Sequence, residues 1–136
     1  MLDACLTLQQ KYPNVKYHGV YKNPEDLEKI YSNTDVVVSC YSTHGLNERL
    51  AEPNKLYEAL FFCKPIIVSD GIFLAEQVRR YSCGYCIDAT SIESISEFVD
   101  TIKNEELNTI MDHISSIRKD LLIDNISEIT RRIHEI

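Results

Sequence analysis

Hydrophobic positions along the chain switch repeatedly between two spacings. Leu2, Cys5, Leu6 and Leu8 recur at helical intervals over Leu2 to Tyr12, which predicts a helix with those side chains turned inward. Pro13-Asn14 ends it, and Val15, Tyr17 and Gly19 then alternate as a short strand would. Asn23-Pro24-Glu25-Asp26 reads as a helix start: Asn23 as cap, Pro24 at the first helical position, and acids on the positive end of the dipole. That helix is expected to reach about Asn33.

Asp35 to Cys40 reads as a continuous apolar strand, as in strands covered on both faces of a parallel sheet. A polar loop from Tyr41 to Ala51 leads into a largely apolar helix beginning at Pro53, and Pro65 to Ser69 is a second buried strand. Asp70-Gly71 turns the chain into a helix through Phe73, Leu74, Gln77 and Val78, followed by a strand over Gly84 to Asp88. Ser91 starts a helix bearing Ile92, Ile95, Phe98, Val99 and Ile102. Asn104 is expected to cap another, with Leu107, Ile110, Met111, Ile114, Ile117 and Leu121 at helical spacing, and Ile126, Ile129, Ile133 and Ile136 extend the apolar stripe.

Strands separated by helices predict an α/β fold: a doubly wound, Rossmann-like parallel sheet over residues 1–103, with a helical carboxy-terminus over 104–136, in one domain. Ligands of such sheets bind at the carboxyl ends of the strands, so the loops after Gly19, Cys40, Ser69 and Asp88 are expected along one edge.

Composition narrows the partners. Hydrophobic residues make up 44% and charged residues 26% of 136 positions, and the formal net charge is −7, which argues against a broad electrostatic hold on nucleic acid. Five cysteines scattered through apolar segments fit a reducing compartment, and neither a membrane-spanning run nor a signal peptide is evident, so a cytoplasmic location is expected.

The candidate chemistry lies at the front of the Pro53 helix. A helix amino-terminus offers free N–H groups and partial positive charge, which favour an anion. Asn54 and Lys55 stand there, and Glu58, one turn on, suits the paired hydroxyls of a ribose. Phosphate beside ribose describes a nucleotide. Taken singly, a solvated lysine and an ordinary helix acid account for the same residues.

From about Val15 to Asp88 the sequence resembles the carboxy-terminal, donor-binding half of retaining, family 4-like glycosyltransferases of the GT-B fold (glycosyl transferases group 1). The likeness rests on the strand ending in Gly19, on DVVVSC, on PNKLYEALFFCKPIIVS, and on GIFLAEQV and CGYCID. It implies that Glu58 holds the ribose of a nucleotide diphosphate sugar, linked to uridine or guanosine. Asn54, Lys55 and Leu56 would lie near the diphosphate and sugar, and Gly19, Val20 and Tyr21 would line the base pocket. His44 and Glu52, in the Tyr41 to Glu52 loop, would approach the transferred sugar. Where the family places its other acid, Leu50 stands between Glu48 and Glu52.

The resemblance further implies transfer to a glycan or lipid-linked acceptor without an obligatory metal or other cofactor. It also implies that the preceding strand, with its basic pair, and the acceptor-binding amino-terminal domain lie outside this chain. The chain alone would then bind donor without turnover. Dimerisation through an exposed sheet edge or the carboxy-terminal helices, and a peripheral place at the inner membrane face for the full-length enzyme, are further expectations. A different class of reading is a non-catalytic Rossmann-like module that binds a partner protein.

Other signals are read as structural. Cys83-Gly-Tyr-Cys86 has redox or zinc spacing but lies at a strand entry with no second ligand pair, which favours two small buried residues. Arg79-Arg80 and Arg131-Arg132 read as solvated helix faces. His18, His113 and His134 do not cluster with His44, and no glycine-rich phosphate loop exists.

Overall fold

A computed structural model describes residues 2–51 and 54–122. Helix α1 (Leu2–Lys11) and helix α2 (Leu27–Ser32) precede strand β1 (Val37–Ser39), which leads through α3 (Leu46–Leu50) and α4 (Asn54–Phe61) to β2 (Ile66–Ser69). Helix α5 (Phe73–Tyr81) connects to β3 (Gly84–Ile87), and α6 (Ile92–Thr101), α7 (Asn104–Ser115) and a 3-10 turn (Lys119–Leu122) complete the described chain. The three strands form a parallel sheet in the order β1-β2-β3, with Val37 opposite Ile66 and Ile66 opposite Gly84. The mixed α/β architecture with a parallel sheet is the one the alternating periodicities predict.

The core lies between the sheet and helices α4, α5 and α7. Ile66 and Val68 from β2 meet Leu56, Ala59 and Leu60 of α4, Leu74, Ala75 and Val78 of α5, and Ile114 of α7, all essentially inaccessible to water. Removing that much apolar surface from water is the main source of the fold's stability. Helix α5 ends on Ser82 in the left-handed conformation, whose N–H returns to the Arg79 carbonyl. The Ser91 hydroxyl accepts from the Ser94 N–H and caps α6, as expected of that residue.

Several sequence expectations are corrected. Val15 to Gly19 is irregular rather than a strand, because no described strand lies alongside to share its hydrogen bonds, and only Val15 is partly buried. Leu6 and Leu8 on α1 face solvent at 40% and 47% exposure instead of inward, since no described element covers that face. The helix expected from Pro24 begins three residues later. Asp26 turns its carboxylate back to the Lys22 N–H, while the Asp26 N–H meets the Lys22 carbonyl, and this turn takes up the segment that would have opened the helix.

The polar loop after β1 contains the short helix α3, whose Leu46 and Leu50 are exposed. On α6, Ile92 and Val99 also face outward, leaving Phe98 and Ile102 as the half-buried side of that helix. Lys103, not Asn104, stands at the N-cap position of α7, without a side-chain cap hydrogen bond. Ile126, Ile129, Ile133 and Ile136, and the Arg131-Arg132 pair, lie outside the described residues.

Candidate functional site

Helix α4 follows β1 and precedes β2 in a parallel arrangement, so its amino-terminal end sits at the carboxyl edge of the sheet. Residues three apart on a helix share a face. Accordingly the Lys55 ammonium donates to Glu58 Oε2 at 2.8 Å, and both heads point to one side of α4. Leu56, between them, turns into the core and is fully buried, so its side chain anchors the helix and is not available to a ligand as expected. Asn54 is exposed at the first position of the helix.

Three residues from outside α4 converge on this pair. The Tyr21 hydroxyl accepts from Lys55 Nζ at 3.0 Å, and its ring lies 5.3 Å below the same ammonium in a cation–π contact. The Tyr31 hydroxyl donates to Glu58 Oε2 at 2.8 Å, and Asn23 Nδ2 reaches Glu58 Oε1 at 3.4 Å. Burial pulls the Lys55 ammonium towards neutrality, but donation to Glu58 and Tyr21 outweighs it and holds the group above its usual value. Burial and then the Glu58 carboxylate push the Tyr31 phenol well above its ordinary range, so it remains a donor. Glu58, with a side chain only 12% exposed, also lines an open cavity of about 770 Å³ beside Pro24, Leu27, Tyr57, Phe61 and Lys119.

Gly19 adopts φ +83°, a conformation that favours glycine, and this lets the chain turn towards Val20 and Tyr21. Val20 projects into solvent at 96% exposure. His44 is exposed on the loop before α3, its N–H donating to the Ser42 hydroxyl, and has no contact with the Lys55–Glu58 pair. Glu52 and Pro53 lie outside the described residues. The structure therefore brings Tyr21, Lys55 and Glu58 together, but not His44.

The comparison with protein families covers most of this chain: the model for glycosyl transferases group 1 matches residues 5–119. The chain belongs to the group 1 glycosyltransferases. A curated relative, the succinoglycan biosynthesis protein ExoL of Rhizobium meliloti (strain 1021), is 28% identical over 85 residues. That match covers 62% of this chain and 21% of the relative, so the chain spans about a fifth of the relative's length. No solved structure matches.

Sequence reasoning missed Tyr31 and Asn23 as neighbours of Glu58. They lie 27 and 35 residues from Glu58, and only the packing of the α2 segment against α4 joins them. A signal was present, since Tyr31 stands one turn after Leu27 on the apolar face of its helix, where a buried tyrosine has a hydroxyl to satisfy. The CxxC pair proves structural: Cys83 is fully buried with its thiol directed at the Val78 carbonyl, and half-buried Cys86 points at the Ala75 carbonyl. Arg79 is not merely solvated, because it pairs with Asp70 at 2.7 Å and holds that carboxyl below its usual range. Among the described residues, no group of three or more metal-ligating side chains converges, and no helix is long and apolar enough to cross a membrane.

Proposed function

We propose that this chain is the donor-binding half of its glycosyltransferase and that Lys55 and Glu58 receive a nucleotide diphosphate sugar. The observation that carries the reading is the convergence of Tyr21, Lys55 and Glu58 at the front of α4 in a chain of this family. The amino-terminal N–H groups and dipole of α4, with Lys55, favour a diphosphate. Glu58 accepts hydrogen bonds from the ribose hydroxyls, and Tyr21 offers a ring beside the base.

In the reaction the bond from the sugar's anomeric carbon to the diphosphate breaks, and the diphosphate keeps the electron pair. A new bond forms to an acceptor hydroxyl, on a saccharide or a lipid-linked glycan, whose proton passes to the departing diphosphate. The part of α4 and Lys55 is to stabilise charge growing on the leaving diphosphate. A separate acceptor-binding domain supplies the facing wall of the cleft, so the chain alone binds donor without turnover in the cytoplasm. The relative's role in succinoglycan biosynthesis makes polysaccharide assembly the corresponding setting.

Titration with uridine and guanosine diphosphates tests the reading. Saturable binding that Glu58→Ala and Lys55→Ala each weaken by about tenfold or more supports it. Binding of neither nucleotide overturns it and favours a protein-interaction module, whose contact surface would be the exposed apolar side chains Val38, Leu46 and Leu50.

A further inference from the structure

The carboxylate of Glu58 is held unevenly. Oε2 takes two short donations, from Lys55 Nζ and from the Tyr31 hydroxyl, each at 2.8 Å. Among the described residues Oε1 has only Asn23 Nδ2, at 3.4 Å, from an exposed side chain. One oxygen is therefore engaged by the protein while the other is left to accept from outside.

The two donors to Oε2 differ in how firmly they are placed. Lys55 is a flexible side chain, 38% exposed, already divided between Glu58 and Tyr21. Its ammonium stands in the first turn of α4, and an anion arriving there attracts it away from the carboxylate. Tyr31 cannot follow. Its residue is 4% exposed, and its ring stacks on Phe62 with centroids 4.7 Å apart and planes 7° from parallel. Phe62 directly follows α4, so the ring that carries the donor is packed against the same segment that carries the acceptor. An aromatic ring in such a contact has little rotational freedom, and its hydroxyl is fixed in space.

We infer that Tyr31 is a positioning residue: braced on Phe62, it keeps Glu58 Oε2 engaged after Lys55 has moved to phosphate, so that Oε1 is presented to the ligand's diol. The inference rests on the reading of Glu58 as the ribose acceptor and adds the group that orients it. Tyr31 itself touches no ligand. Its part is to prevent the carboxylate from rotating when one of its two anchors is taken, which preserves the orientation in which Oε1 accepts from the neighbouring hydroxyls.

The experiment compares two ligands, a nucleoside diphosphate and its 2′,3′-dideoxy counterpart, on wild type and on Tyr31→Phe. The substitution keeps the stacked ring and removes only the hydroxyl. Wild type is expected to prefer the ribose form by about tenfold, since the dideoxy form offers Glu58 nothing to accept. In Tyr31→Phe that preference falls towards unity, through weaker binding of the ribose form and unchanged binding of the dideoxy form. A residue of purely structural importance would weaken both ligands alike, and that outcome, or an unchanged preference, overturns the inference while leaving the Glu58 reading intact. Phe62→Leu, which keeps the hydroxyl but removes its brace, reads the same ratio independently and is expected to fall between the two; an unchanged ratio there also overturns the inference. Should wild type bind both ligands equally, or neither, the underlying reading fails and this inference with it.

Discussion

Lys55 and Glu58 were legible in the sequence because helix geometry alone makes positions three apart neighbours, and no tertiary knowledge is needed to pair them. Tyr21 was named through family likeness, whereas Tyr31 was not named at all, because the distance that matters spans two elements and an intervening strand. The side chain of Leu56, which lies between Lys55 and Glu58 in sequence, belongs to the buried face of the same helix. A residue-level consequence concerns alkaline pH. Burial pushes the Cys83 thiol up to about 12 from an ordinary 9.0, and burial together with Glu58 raises the Tyr31 phenol in the same direction. The folded chain thus keeps protons that the unfolded chain has released. The stability these groups contribute is complete below the unfolded thiol's value and is lost as pH rises from about 9 towards about 12. Urea midpoints measured in steps between about pH 7 and about pH 11 are expected to fall over that window, and Cys83→Ala to make the fall shallower by up to about 1.4 kcal/mol per pH unit.

At the scale of elements, β-branched runs and capping residues proved readable. The segments over Asp35 to Cys40, Pro65 to Ser69 and Gly84 to Asp88 became β1, β2 and β3 within one or two residues at each end. Ser91 stands where a capped helix begins. Val15 to Gly19 failed for a physical reason: alternation states what a strand would look like, but a strand also needs a neighbour, and local sequence does not carry that information. The same holds for α1, where helical spacing formed the helix but did not provide a surface for Leu6 and Leu8. One position is critical to the β2–β3 pairing. A Cβ on Gly84 would lie 1.8 Å from the Ile66 carbonyl oxygen, an overlap with backbone that cannot be relieved by rotating a side chain. Gly84→Ala is expected to destabilise the chain by about 2–3 kcal/mol, seen as a lower urea midpoint, while a substitution at exposed Ser96 leaves it within about 0.5 kcal/mol.

For the molecule as a whole, fold class followed from the order of periodicities, and the position of α4 at the carboxyl edge followed from the parallel connection. The apolar spacing of α7 was readable, and Ile114 from it closes the core; the approach of His113 Nε2 to within 3.0 Å of the Tyr81 carbonyl, at the end of α5, was not. Less legible was how unevenly the fold is covered: β2 is enclosed on both flanks, whereas Val38 on β1 is 69% exposed and the outer edge of β1 meets no described strand. This asymmetry sets a gradient of local opening. In deuterated buffer the backbone amides of Ile66 to Val68 are expected to hold their protons longest, because releasing them requires the separation of both neighbouring strands. Those of α1 should exchange first. Helix α4 is anchored in the same core through Leu56 and Leu60, so its amino-terminal end is expected to rest on the part of the molecule that opens least.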